Sequence, residues 1–371
     1  MKRIAHAGSR ALLLAALLAA MGVAARVGAA EELALRGHVQ QTASTMTPLS
    51  GNLAFEAGAF TTLALTLDAR HDSASLRASL HFSILYGVES ANQWASLATF
   101  PEGADFIFMT PDFDPLAAAP DTVFLLALDD LALRWDLGSF AFEVGKTYAN
   151  WGLGKAFSPA DFFAEFDYAS GSPSMRSKFL GRATWFPGST ARIDLVCDPY
   201  SSEGPTLAAR VYATAFDSLA FSAAAGLRDI VGSSSPTFLG ALETTFDLPF
   251  ISPYGEAAVQ LPLDNPASTE ISLLGGAMAR AGDLTLLGEY LFAPGASLRH
   301  SIFAQARFPV DEWISLSAPF LYYPEPGSLS TGISLASSGL AGLDLGITAL
   351  VARTAAHSWS GKLATSARFD F

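Results

Sequence analysis

From residue 33 to its end the chain repeats one pattern. Segments of about 9–13 positions alternate apolar and polar residues, and clusters of Gly, Pro, Asp, Asn or Ser separate them. The stretch 140–163 shows the unit. Phe140, Phe142 and Val144 alternate with Ala141, Glu143 and Gly145, the period of two of a pleated strand. The alternation then breaks into a turn-rich run with Asn150, Trp151, Gly152, Gly154, Ser158, Pro159 and Asp161. Such a strand has one face for an apolar surrounding and one for water, and it delivers a long loop at its end.

Before this stretch the pattern predicts strands over 33–43, 60–68, 75–86 and 122–135. After it come 178–186, 191–197, 207–216, 219–227, 238–246, 253–261, 271–279 and 285–292. The last five are 301–308, 313–322, 329–336, 343–351 and 362–371. Connections alternate in kind. Asp136–Ser139, Pro187-Gly188 and Asp217-Ser218 are tight, whereas 87–120 and 149–177 are long. The expected fold is all-β: a transmembrane antiparallel up-and-down barrel of about 16–18 strands, with 18 preferred and 16 if the first strand or one hairpin is miscounted. An even number places both termini on one side. In the last segment Leu363, Thr365, Ala367, Phe369 and Phe371 share the face for lipid, and Lys362, Ala364, Ser366, Arg368 and Asp370 face water. Trp135, Trp185, Phe186, Trp313, Tyr322 and Tyr323 gather at segment ends, where interfacial girdles form.

Composition narrows the class. The chain of 371 residues is half hydrophobic, yet beyond residue 30 no apolar run approaches 18 residues, so spanning helices are excluded. A closed barrel is the other way to satisfy every backbone group in a bilayer. A soluble sandwich seldom needs so many strands. Residues 1–30 read as a cleaved signal peptide, with Lys2, Arg3 and Arg10 before the apolar 11–23 and Gly28-Ala29-Ala30 before the cut. Residues 31–371 then form a single barrel domain in the outer membrane, surrounded by outer-membrane lipid. Without the four basic residues of the leader, 18 Lys and Arg stand against 35 Asp and Glu. No basic patch exists, which argues against nucleic acid as a partner. Cys197 is the lone cysteine, so no intrachain disulfide forms; with Ile193 and Leu195 it falls on a lipid face.

With its signal peptide, its alternating segments and its terminal Phe371, the chain resembles Gram-negative outer-membrane barrels of the porin type. The resemblance implies that Phe371 is the signal for barrel insertion, with periplasmic chaperones and the barrel-assembly machinery as partners. It also implies a third outer loop folded into the lumen, acids on that loop facing a basic wall, and a homotrimer by analogy. A narrower likeness lies in Gly145-Lys146, Trp151-Gly152-Leu153-Gly154 and Ser158-Pro159-Ala160-Asp161-Phe162. It is similar to a G-[KR]-x(4)-W-G-x-G…[NS]-P-x-D pattern of uncharacterised porin-like barrels, with Ser158 where Asn is usual. No ligand comes with it.

Catalytic motifs are few. Gly145-Lys146-Thr147 lacks the earlier glycine of a phosphate loop, because Phe140 stands there. No G-x-S-x-G or H-E-x-x-H occurs, and the six histidines have no metal-ligand spacing. No cofactor and no metal is called for. His81 and Ser83 share a face of one strand but lack a third member for nucleophilic catalysis. The outer loops are acidic, with Glu102, Asp105, Asp112, Asp114 and Asp121 in the second and Asp161, Glu165 and Asp167 in the third. The candidate constriction takes Trp151, Lys155, Asp161 and Glu165 from the third loop, and Arg182, Arg192 and Arg210 from the wall. The resemblance sets Asp161 and Glu165 opposite Arg182 and Arg210. The alternative is that these arginines pair with Asp194 and Glu143. Trp151 either lines a solute path, anchors at the interface or packs the base of the loop.

The expected function is passive diffusion of small polar solutes or ions, filtered by size and charge at the third loop, without enzymatic chemistry. The alternatives are a surface structural or adhesin barrel with a closed lumen, a specific channel for hydrophobic compounds, and a membrane enzyme built on His81.

Overall fold

The computed structural model describes residues 32–49, 55–90, 106–109, 122–163, 166–167, 174–175, 177–200, 204–216, 218–229, 235–296, 298–340 and 342–371. The expected leader, the acids Glu102, Asp105, Asp112, Asp114 and Asp121, and Glu165 lie outside the described residues.

The strands follow the alternation. They are β1 (Glu32–Pro48), β2 (Glu56–His71), β3 (Ala74–Gly87), β4 (Phe106–Met109), β5 (Thr122–Leu137) and β6 (Phe140–Thr147). Two very short strands, β7 (Phe166–Asp167) and β8 (Ser174–Met175), pair only with each other. Then come β9 (Lys178–Gly188), β10 (Ala191–Asp198), β11 (Thr206–Ala215), β12 (Leu219–Arg228), β13 (Thr237–Phe246), β14 (Ile251–Pro262) and β15 (Glu270–Ala281). The last six are β16 (Leu284–Phe292), β17 (His300–Pro309), β18 (Ile314–Tyr323), β19 (Ser328–Leu340), β20 (Leu343–Arg353) and β21 (Trp359–Asp370).

The main sheet has 19 strands. One of them, β4, is a four-residue strip lying along β5. The other eighteen pair antiparallel in chain order, and β21 closes on β1 from His38↔Asp370 to Pro48↔Ser360. The eighteen-strand barrel is therefore the one formed, rather than the sixteen-strand alternative. Closure joins the first and last of these eighteen strands, as a lipid environment demands.

Side-chain parity runs along the wall, with register shifts at β3–β5, β9–β10 and β19–β20. Cross-strand partners such as Asp194↔Arg210, Ser222↔Glu243 and Glu243↔Glu256 lie on the inner face. The residues between them point out. Leu242 is 63% exposed, Ile347 51% and Leu363 50%, which in water would forfeit about 1.5–3 kcal/mol of burial each and in lipid does not. Trp135, Trp185 and Trp313 are exposed near the tight-turn end, and the Phe140 ring stacks on Trp185 with centroids 6.1 Å apart. Gly138 (φ 64°) and Gly282 (φ 61°) supply the left-handed turn positions that an L side chain resists.

Some strands outrun their apolar alternation. β1 and β2 stay paired through Thr45↔Ala57 and Met46↔Glu56, past the predicted limits at 43 and 60. Backbone pairing continues into water, where no apolar face is required. The segment predicted to end at 336 runs on: β19 continues to Leu340 through a register shift after Ser337. The strip β4 lies within a stretch read as loop. It pairs with Phe124–Ala127 of β5, beyond Leu131, where β6 stops pairing.

Candidate functional site

The site arises because β6 and β9 are direct partners. Phe140↔Trp185 through Thr147↔Lys178 form one ladder, and the described residues between Thr147 and Lys178 add no strand to the barrel sheet. The described segment 148–163 contacts side chains of β5 and of strands between β9 and β16. At its start the Tyr148 hydroxyl donates to Asp129 Oδ1 at 2.7 Å, and Arg182 Nη2 donates to the Tyr148 carbonyl at 2.8 Å.

Trp151 is next and is 2% exposed. Its ring meets Phe163 edge-on at 5.0 Å and Phe162 at 6.0 Å. These rings belong to one buried cluster with Leu180, Val196 and Leu239 of the wall. The other wall members of the cluster include Ala208, Ala224, Ala241 and Ala258, whose small side chains leave room for the aromatic rings. Burying three rings is worth about 1.5–3 kcal/mol apiece.

The two glycines of Trp151-Gly152-Leu153-Gly154 have steric reasons. A Cβ on Gly152 would sit 1.4 Å from Ser158 Oγ, and one on Gly154 would sit 1.6 Å from the Phe157 carbonyl oxygen. The segment doubles back on itself at these points. Asp161 closes the fold. Its carboxylate accepts the Trp151 amide at 3.2 Å and the Phe163 amide at 3.0 Å, while its own amide donates to the Ser158 carbonyl at 3.1 Å.

Two inward carboxylates bind the crest. Glu256 of β14 accepts the amides of Leu153 at 2.5 Å, Gly154 at 2.6 Å and Ala160 at 3.1 Å. Glu289 of β16 accepts those of Lys155 at 2.5 Å, Ala156 at 2.9 Å and Phe157 at 3.1 Å, and the Tyr254 hydroxyl as well. Both glutamates are buried. A doubled-back segment has amides with no strand partner, and a carboxylate offers enough lone pairs to take several. Arg228 of β12 adds a donor to the Phe162 carbonyl at 2.6 Å.

The candidate residues land as follows. Trp151 packs in the cluster and presents no face to solvent. Asp161 accepts two amides of its own loop. Arg182 lies 3.9 Å from Glu143, Arg192 2.9 Å from Asp194, and Arg210 2.5 Å from Glu243. Arg192 and Arg210 also flank the Tyr212 ring, at 5.7 and 5.9 Å. The pairing of wall arginines with wall acids thus includes both acids named for it, Asp194 and Glu143. Lys155 is the exposed residue of the stretch 151–163. Glu256, Glu289 and Arg228 were not singled out from the sequence. Their signal is faint but present: each is a charged residue on the polar parity of an otherwise apolar or small strand.

No family model matches the chain, and no curated protein matches it. Solved structures do. Pseudomonas aeruginosa OccK9 (OpdG) superposes with a TM-score of 0.60 over 92% of this chain and 100% of that one, at 11% identity. Acinetobacter baumannii OccAB4 gives 0.58 over 92% and 98%, at 9% identity. The outer membrane protein OpdK of Pseudomonas aeruginosa gives 0.57 over 91% and 98%, at 8% identity. At such identities the likeness speaks for the barrel fold alone.

Proposed function

We propose that the protein is an outer-membrane channel for passive diffusion of small polar solutes or ions, and that its third outer loop enters the lumen and sets the aperture. One observation carries this reading: the amides of Leu153–Phe157 and Ala160 are bonded to inward carboxylates on β14 and β16 of a closed barrel. A segment held across part of the cross-section restricts it, and the polar inner faces of the remaining strands keep a water path. An eighteen-strand circumference is wide enough for such a path. The similar barrels support the outer-membrane setting, since OpdK is an outer membrane protein.

Filtering in this proposal rests mainly on size. The wall arginines have carboxylates beside them, so the field they add is short-ranged. Lys155 is the exposed charge among residues 151–163 and is set to meet a passing ion in this proposal. Swelling of liposomes containing the refolded protein tests the proposal: small neutral sugars enter and larger oligosaccharides do not. Liposomes that admit neither would support the closed-lumen reading.

A further inference from the structure

The wall of the lumen carries a second arrangement, beside the start of the loop at Tyr148. On β5 the register slips by one residue, so that Ser79 faces Asp130 while Leu80 faces Leu128. Asp129 is the extra residue of this bulge. Bulges re-aim side chains, and here two consecutive aspartates border one recess instead of opposite faces of the sheet. The recess holds about 730 Å³ and is also bordered by Thr66, Ser79 and His38.

The charges around it do not balance locally. Arg36 and Arg77 both bond Asp68, Arg77 at 2.9 Å, and Arg368 bonds Asp370 at 2.9 Å. The basic side chains of the recess hydrogen-bond two of its acids, and Arg77 also lies within electrostatic reach of Asp130 without bonding it. Asp129 takes the Tyr148 hydroxyl at 2.7 Å and has His81 Nε2 at 3.9 Å. Asp130 is only 6% exposed, and its Oδ1 has no hydrogen-bond donor. A buried carboxylate oxygen without a donor costs several kcal/mol unless a ligand supplies one.

We propose that Asp129 and Asp130 form a binding subsite in the lumen for a small organic ammonium solute. An ammonium group brings three donors and one positive charge to the position where donors are lacking. Among the described residues no group of three or more His, Cys, Asp or Glu is placed to hold a metal ion, which favours an organic cation over a metal. The hydroxyls of Thr66 and Ser79, bonded to each other at 2.9 Å, give polar walls for the rest of a short solute. The inference rests on the reading of the lumen as a solute path and names one class of solute for it.

Equilibrium dialysis of labelled 1,4-diaminobutane against the refolded full-length barrel in detergent, at low ionic strength, tests the subsite without requiring conduction. Wild type is expected to bind one equivalent saturably. Asp130→Asn and, independently, Asp129→Asn should each weaken binding at least tenfold, while Asp283→Asn in the exposed β15–β16 turn leaves it unchanged. Migration of the unheated protein on a gel reports that each variant is folded, and either aspartate variant suffices if the other does not fold. Unsaturable binding by wild type, or equal binding by folded variants, would overturn the subsite. So would magnesium binding that Asp130→Asn abolishes without diamine binding. A barrel that binds the diamine but passes no current refutes the channel and leaves the subsite standing; a conducting barrel that does not bind refutes the subsite alone.

Discussion

Glu256→Ala is the perturbation that probes the loop most selectively. It removes one side chain from β14 and leaves the amides of Leu153, Gly154 and Ala160 without their acceptor. Lumen water can replace part of what is lost, so the net cost per bond is that of an ordinary hydrogen bond, about 0.5–1.5 kcal/mol. Three bonds then give about 1.5–4.5 kcal/mol. At about 1.4 kcal/mol per tenfold, local opening becomes about 10- to 1,600-fold more frequent. The base of the loop should stay in place, because Trp151, Phe162 and Phe163 keep their contacts with Leu180, Val196 and Leu239. Hydrogen–deuterium exchange followed by mass spectrometry reads this directly. Peptides covering 151–163 should lose protection by that factor, while peptides from β19–β21 serve as an unchanged internal reference. If the folded variant protects 153–160 as well as wild type does, the carboxylate does not hold the loop and the reasoning fails.

Four further outcomes are expected. Gly154→Ala, whose new Cβ would fall 1.6 Å from the Phe157 carbonyl oxygen, should open the same peptides in an otherwise folded barrel, as exchange would show. Trp151→Ala empties a site in the buried cluster and should cost about 3–5 kcal/mol, visible as a lower temperature for loss of the compact form on unheated gels. Arg210→Ala strands buried Glu243 and should cost about 3–5 kcal/mol in urea titration, whereas Arg210→Ala/Glu243→Ala should recover most of it. Lys155→Glu reverses the exposed charge of the crest and should move the reversal potential in a salt gradient toward cation preference; an unmoved potential would remove Lys155 from the ion path.

The barrel was readable because alternation and turn residues write the wall directly into the order of letters. Leu363 and Phe369 on one parity and Lys362 and Arg368 on the other identify the faces of β21 without any structure. The loop was readable only in outline. Its Trp-Gly-x-Gly and Ser-Pro-x-Asp elements stand out as a pattern, yet their reasons are contacts between residues of the loop: Gly154 against the Phe157 carbonyl, and Asp161 against the Trp151 amide. Backbone amides carry no letter, so six of them awaiting acceptors at 153–157 and 160 leave no trace in the sequence. Their partners Glu256 and Glu289 lie about a hundred residues on and look like ordinary inward acids of a barrel. Pairing Asp161 with Arg182 or Arg210 is reasonable from charge alone. The structure gives Asp161 two amides of its own loop and sets Glu143 beside Arg182 and Glu243 beside Arg210. The bulge at Asp129 was equally hidden, because a one-residue slip is invisible until the partner strand is known.

The measurement that bears most directly on the proposed channel is single-channel recording of the refolded protein in a planar bilayer, for wild type beside Glu256→Ala/Glu289→Ala. A channel narrowed by a tethered loop predicts discrete open steps for wild type, and larger, noisier steps once both carboxylates are gone. A well-folded wild-type barrel that shows no steps, or a double variant with unchanged conductance and noise, would contradict it.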